Sequence, residues 1–530
     1  MASLLLAASL LLLLAASPGA RGGNILVFPV DGSHWVNMNL LLRGLHARGH
    51  QLTVVRTASS WYVKERAPHY RAVTVALPHA IDIEEPDFFG LRAAKFDLVL
   101  MDPGLPVGVL VAHELGLPTV FNVRWITSGE GHFVVAPSPI SYVPASGHAA
   151  TDRMAFWERV ANALFYVLNA CIDRLVVCPH YDRLVERYLG PDVSFYHLLQ
   201  GADFWLMRVD FVFEFPRPTM PNVAYIGGFQ CGPARPLAPE LEAFVQSSGE
   251  HGFVLMSLGT LVQGLPADIT AEIAAAFAAI PQKVVWRHAG ERPPNLGNNT
   301  LLLDWIPQND LLGHPKARAF VAHGGTNGAY EAVFHGVPVV GVPLLFDQFE
   351  NVLRLQARGA ARAVDAAALT RESFLEALED VLHNPSYRES MRRLSDLHRD
   401  RPMAPLDTAM FWVEFVMRHG GAAHLRTESF RMSWLAYHSV DVWSFLGAVL
   451  LVLTAAIVGS LRFLCLRVCG RRKAKQEDGS RESTRRLSAL HSVDVWSFLG
   501  AVLLVLTAAI VGSLRFLCLR VCGRRKAKQE

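Results

Sequence analysis

Short apolar runs, polar glycine-containing turns and longer helical segments follow one another along most of this chain. Asn24 to Val30 reads as a buried strand, Asp31-Gly-Ser-His34 as a turn, and Trp35 to Arg48 as a helix with Gly49 as its C-cap. Gln51 to Thr57, Phe96 to Met101 and Pro118 to Asn122 predict further strands, with a helix from about Pro106 to Leu115. Gly129 to Arg153, rich in Pro, Ser, Gly and His, predicts a long loop, and helices follow from Phe156 to Cys171 and from Tyr181 to Leu189. Cys231 to Pro239, with Ser247-Ser-Gly249 soon after, breaks the composition and marks a linker. A second series then begins: strands at Gly252 to Ser257, Lys283 to Arg287, Leu301 to Asp304, Ala319 to Ala322 and Val337 to Leu345, with helices at Ile269 to Ile280, Arg371 to His383 and Thr408 to His419. Such alternation implies parallel sheets covered by helices, with ligands at the carboxyl ends of the strands.

The two ends of the chain differ from this pattern. Leu4 to Ala16 is an apolar core interrupted only by Ser9, within residues 1–22, and predicts a secretory signal peptide. Val442 to Leu461 is 20 residues without a charge, followed by Arg462, Arg467, Arg471, Arg472, Lys473 and Lys475. That predicts a transmembrane helix with its basic flank in the cytosol and the bulk of the chain in the lumen. His438 to Glu477 recurs residue for residue as His491 to Glu530, so residues 495–514 form a second apolar copy between basic tails at 462–494 and 515–530. The repeat reads as a recent exon duplication or a gene-model artefact rather than a functional second span. The closing Lys526-Ala-Lys-Gln-Glu530 has the form of a di-lysine retrieval signal.

Charge and cysteines narrow the class. The chain nets +3, but residues 438–530 hold 15 Lys/Arg against 6 Asp/Glu, so the remainder is net −6 and carries no basic nucleic-acid footprint. Of seven cysteines only Cys171, Cys178 and Cys231 precede the tail, which is no disulfide framework, and no spacing suggests a zinc site. Asn298-Asn-Thr300 is a glycosylation sequon.

The densest chemistry lies between Arg318 and Asn351. The strand Ala319 to Ala322 opens into His323-Gly-Gly-Thr-Asn-Gly328, whose glycines admit a ligand to the backbone and whose helix start favours a phosphate. Glu331 lies one helical turn beyond Asn327, and Asp347-Gln348 follows the next apolar strand. Over its length, and with Trp305-Ile-Pro-Gln308 upstream, this run resembles the donor signature of the UDP-glycosyltransferases, specifically the membrane-bound animal UDP-glucuronosyltransferases.

The resemblance implies a GT-B fold: a first domain over 24–230 for the acceptor, a linker at 231–250, a second domain over 251–407 for the UDP-sugar, and a C-terminal part (408–437) that crosses back over the first domain. It makes His34 the base and Asp102 the carboxylate that holds it; the position of His34 at a strand-to-helix turn also suits a neutral imidazole. Among donor residues it gives Trp305 to the uracil and Gln308 to the nucleoside. Ser257, Thr260, His323, Gly325, Thr326 and Asn327 fall to the diphosphate, Glu331 to the ribose, Asp347 and Gln348 to the sugar, and Arg287 to the donor side generally. Two positions depart from the family: Ala322 replaces a frequent hydroxyl residue, and Phe349-Glu350 replaces Pro-Asp. The expected activity is inverting transfer of glucuronic acid from UDP-glucuronate to a hydroxyl of a small lipophilic acceptor in the endoplasmic reticulum membrane, with no cofactor beyond that co-substrate. A UDP-glucosyl- or galactosyltransferase acting on lipids, or a non-catalytic membrane partner of active relatives, are the alternatives, and homo- or hetero-oligomerisation is left open.

Overall fold

The computed structural model describes residues 22–75, 91, 93–124, 136–259 and 264–477. The signal segment, Thr260 and the second copy of the apolar tail lie outside the described residues. The chain divides into two compact units at Phe430/Arg431.

The first unit contains two parallel sheets. Strands β1 (Asn24–Phe28), β2 (Gln51–Thr57), β3 (Arg66–Ala67), β4 (Tyr70–Val75), β5 (Leu98–Met101), β6 (Thr119–Val123), β7 (Phe204–Met207) and β8 (Val223–Tyr225) form one. Their order is β3-β4-β2-β1-β5-β6-β7-β8, parallel except for the β3–β4 ribbon. Strands β9 (Phe253–Ser257), β10 (Lys283–Arg287), β11 (Thr300–Leu303), β12 (Ala317–Ala322), β13 (Val339–Gly341) and β14 (Ala361–Ala363) form the other, in the order β11-β10-β9-β12-β13-β14. In each sheet the winding direction reverses once, between β1 and β5 in the first and between β9 and β12 in the second, and such switch points open a crevice at the strand ends. β1, β9 and β12 are apolar almost throughout, as strands covered on both faces must be.

The structure departs from the sequence expectation where local signals are weak. β3, β4, β7, β8 and β14 are too short or too mixed to announce themselves, and the amphipathic helix Pro385–Arg399 shows few apolar residues. β13 covers three residues rather than Val337 to Leu345, because Pro338 and Pro343 cannot donate to a ladder. The expected linker is shorter: Pro239 starts a helix to Gln246 that buries Leu241 and Val245 in the second domain's core. The two helices expected over 156–189 are one run, Phe156–Ile172 and Cys178–Leu189 joined by the wider turn Asp173–Val177. That turn precedes Pro179, whose ring and missing N–H disfavour a regular α-helical bond.

Among the described residues two helical segments are long and apolar enough to cross a bilayer, Phe156–Leu189 and Val440–Val468. The first is fixed to the first domain. Asn162 is fully buried and bonds the loop at Ala145, Ile140 and Val143, while Tyr181 and Val185 enter the core. The second belongs to the helix Val440–Glu477 of the second unit and contains the uncharged stretch 442–461.

Candidate active site

The first switch point builds a histidine–carboxylate pair. After β1 the chain turns at Gly32, whose φ of +73° suits glycine, and enters helix α1 (Ser33–Ala47) with His34 in its first turn. Asp31 secures that turn by accepting from the Ser60 hydroxyl at 2.6 Å and the Tyr62 amide at 3.0 Å. Asp102 directly follows β5, is 1% exposed, and lies 2.6 Å from His34 Nδ1 through Oδ2. Its Oδ1 accepts the Gly104 amide at 3.0 Å. Burial alone would push the Asp102 carboxyl up, but the charge and hydrogen bond of His34, then Arg208 and the Gly104 amide, outweigh it and hold the group below the usual carboxylate value. Asp102 is therefore the acceptor, the proton between the two resides on Nδ1, and Nε2 is the basic nitrogen.

Sequence reasoning missed Arg208. Its Nη2 lies 3.0 Å from His34 Nδ1 and 3.6 Å from Asp102 Oδ2. With Nδ1 carrying a proton, the guanidinium acts on the carboxylate, keeping it ionised. The available signal was a charged residue directly after the buried strand Phe204–Met207.

The second switch point is a cradle of glycines and polar side chains. Ser257 ends β9, and its hydroxyl accepts the Gly259 amide at 3.4 Å. A Cβ on Gly259, at φ +77°, would lie 2.6 Å from the His323 ring, and one on Gly325 2.4 Å from it. Glycine at both positions is thus required for His323 to occupy its place after β12. Burial draws the His323 imidazolium down to about 4, against the opposing Ser257 carbonyl and Asp347, so the ring is neutral. Its Nδ1 is buried without a hydrogen-bond partner among the described residues, as expected of a group awaiting a ligand.

Helix α2 (Thr326–His335) starts here with its amides uncapped by any side chain. Thr326 donates to Asp347 Oδ2 at 3.1 Å, while Asn327 accepts from Asn37 of α1 at 2.7 Å. Asn37 lies one turn beyond His34, so the His34–Asp102 pair and the glycine cradle are coupled by a direct bond between their helices. Gln308 donates to Glu331 at 2.6 Å, and burial, then Asp310, raise the Glu331 carboxyl to about 7 against that bond. Trp305 is 64% exposed and lies under the Arg287 guanidinium, 5.4 Å from ring centre to carbon. Arg287 also bonds the Gly259 and Asp304 carbonyls, and so braces the cradle and the Trp305 face together.

Asp347 and Gln348 behave differently from each other. Phe346, a non-glycine residue at φ +56°, makes the turn into helix α3 (Gln348–Gln356) and places Asp347 opposite Thr326. Gln348 is turned inward, its carbonyl oxygen accepting the amides of Leu344 at 2.9 Å and Leu345 at 3.0 Å. It therefore shapes the loop that carries Asp347. Glu350, at one of the positions that depart from the family, accepts the Gly147 amide of the first domain at 2.7 Å.

Comparison with known proteins gives the family and the fold. Residues 23–90 and 87–476 match the family model described as UDP-glucoronosyl and UDP-glucosyl transferase. The chain is 40% identical to the rat protein UDP-glucuronosyltransferase 1A5 over 513 residues, 87% of this chain and 96% of the relative. It is 40% identical to the mouse protein UDP-glucuronosyltransferase 2A3 over 491 residues, 83% and 92% of the two chains. Among solved structures, the glycotransferase of kitacinnamycin superposes with a TM-score of 0.52 at 20% identity over 74% of this chain and 99% of the other. Spinosyn forosaminyltransferase does so with a TM-score of 0.52 at 18% identity, over 75% and 100%. The fold is GT-B.

Proposed function

Because the chain belongs to the UDP-glucuronosyl and UDP-glucosyl transferase family, we propose that it transfers glucuronic acid from UDP-glucuronate to a hydroxyl of a small lipophilic acceptor, with inversion. The observation that carries this reading is the His34–Asp102 pair, bonded at 2.6 Å at the strand ends that face the donor cradle. His34 Nε2 takes the acceptor's hydroxyl proton as its oxygen bonds to the anomeric carbon. The bond from that carbon to the β-phosphate oxygen breaks, and its electron pair leaves with UDP. Attack opposite the leaving group converts the α-linked donor into a β-glucuronide. Asp102 stabilises the imidazolium as it forms.

The leaving diphosphate is met by the amides opening α2, with the Thr326 side chain and neutral His323 lining the same cradle and bringing no charge. Trp305 offers its exposed face to uracil and Glu331 its carboxylate to ribose. UDP-glucuronate is the co-substrate, and the reading uses no further cofactor. The choice of glucuronate is supported by the names of the relatives. We further infer a cleaved signal at 1–22, an endoplasmic reticulum location with lumenal catalytic domains, a single span at 442–461 and glycosylation at Asn298, which is exposed. A panel of UDP-sugars offered with phenolic and steroidal acceptors and read by mass spectrometry tests the function, with His34→Ala as control. A β-glucuronide product is expected, and exclusive use of UDP-glucose would overturn the choice of sugar.

Glu331 gives the reaction a pH dependence. Its carboxyl is raised from 4.5 to about 7, so its contribution favours the folded, unliganded protein at or below 4.5 and is lost as pH rises to about 7. Ribose hydroxyls bond best to the ionised form. Donor KM is expected to fall between about pH 6 and pH 8, by about three- to tenfold for one carboxylate titrating across its midpoint, and Glu331→Gln to flatten that slope. Initial-rate measurements across the range, at saturating acceptor, check it.

A further inference from the structure

The donor cradle is not closed by the second domain alone. Arg124, immediately after β6 of the first domain, has a side chain only 6% exposed and reaches across the interdomain crevice. Its Nε lies 2.9 Å from the Thr326 hydroxyl and 3.2 Å from Asp347 Oδ2, and its Nη2 3.0 Å from Asn351 Oδ1. Its Nη1 lies 3.4 Å from Glu214, which also pairs with Arg354 at 2.9 Å. Two guanidiniums and two carboxylates, from both domains, thus form one neutral cluster.

Among the described residues, the bonds to the Asp347 side chain converge on a single oxygen. Thr326 at 3.1 Å, Asn351 at 3.0 Å and Arg124 at 3.2 Å all address Oδ2. Oδ1 has no partner among the described residues, and the side chain keeps 31% exposure. The arrangement is that of a carboxylate anchored by one oxygen and offering the other. Burial would push the Asp347 carboxyl up, yet Arg124 leads the groups that hold it below its ordinary value.

We propose that Arg124 is a positioning residue for the donor sugar: from the first domain it fixes Asp347 Oδ2 so that Oδ1 accepts a sugar hydroxyl, making recognition of the sugar depend on both domains. This rests on the reading that Asp347 holds the sugar. A planar guanidinium can serve the hydroxyl, the carboxylate and the amide oxygen at once, whereas an ammonium on a flexible stem cannot.

Isothermal titration of the full-length chain in detergent, with UDP and with UDP-glucuronate, tests the proposal independently of turnover. Arg124→Gln is expected to weaken UDP-glucuronate by about 10- to 100-fold, the range of a charge-assisted bond, and UDP by less than about threefold. In kinetics the loss appears chiefly in donor KM. Arg124→Lys, which keeps the charge, recovers only part of the affinity, and carries the same comparison should the glutamine variant not fold. Combining Arg124→Gln with Asp347→Asn costs no more than Asp347→Asn alone if Arg124 acts through Asp347. Asn37→Ala, which removes a different interdomain bond, weakens the two ligands alike. Equal losses of UDP and UDP-glucuronate in Arg124→Gln, or additive losses in the double variant, overturn the proposal. A wild-type chain that binds UDP-glucuronate but transfers nothing would defeat the glucuronosyl reading and leave this comparison intact. If UDP-glucose is the sugar it binds, the same ratio is measured with UDP-glucose.

Discussion

His34→Ala is expected to lower kcat for hydroxyl acceptors by about 10²- to 10⁴-fold, the usual worth of a positioned general base, with donor affinity nearly unchanged because the cradle lies on the other sheet. Asp102→Asn is expected to fall in the same range. The amide can present its NH₂ to Nδ1, which would force the proton onto Nε2 and abolish the base, and it leaves Arg208 buried beside a neutral group. The two losses should not add, since both remove one function. Single-turnover assays on membranes containing each variant, with UDP-glucuronate binding measured in parallel, separate chemistry from binding. A His34→Ala chain turning over at a near-normal rate would remove His34 from the mechanism.

Asp210→Ala is expected to produce the largest loss of stability at any single side chain outside the apolar cores. Asp210 follows β7 and joins the two domains. Its amide donates to the Tyr330 hydroxyl at 2.6 Å, and its carboxylate receives His398 Nδ1 at 2.7 Å and the Arg401 guanidinium. Tyr330 comes from α2 and His398 from the helix Pro385–Arg399, so one carboxylate serves the donor helix and a helix packed behind it. Removing it strands buried donors, at a cost of about 3–5 kcal/mol, a large share of the roughly 5–15 kcal/mol that keeps a domain folded. Asp210→Asn, which keeps an oxygen for the Phe213 amide, should lose less. Urea midpoints by limited proteolysis check the order: wild type, asparagine, alanine. Equal midpoints would show that the cluster is dispensable.

The parts legible in the sequence were those written locally. Both switch points announce themselves as an apolar strand followed by a glycine turn, which is why His34, Asp102, Ser257, His323 and Thr326 could be picked out as neighbours of a ligand. Glu331 follows from helix phase and Gln308 from the family resemblance, and the two find each other. Thr260 lies outside the described residues. Arg124, Arg208, Asn37 and Asn351 were not legible, because a polar residue is informative only once its partner is known, and the partners that join them across the fold lie 174 to 290 positions away. A charged residue placed directly after a buried strand, as Arg124 and Arg208 both are, is the one sign that could have raised them. Gln348 adds what its position alone could not tell: its carbonyl oxygen holds its own loop.

The helix Pro405–His419, late in the sequence, buries Ala409, Met410, Val413 and Val416 in the core formed around α1 and β1. Arg48 of the first domain pairs with Asp407 and Glu414 on it. The first domain to leave the ribosome is therefore also the one that must wait: its core lacks a wall until residue 419 has been made. Through most of synthesis the helix that carries His34 therefore has an uncovered apolar face, closed only once the second domain has been translated.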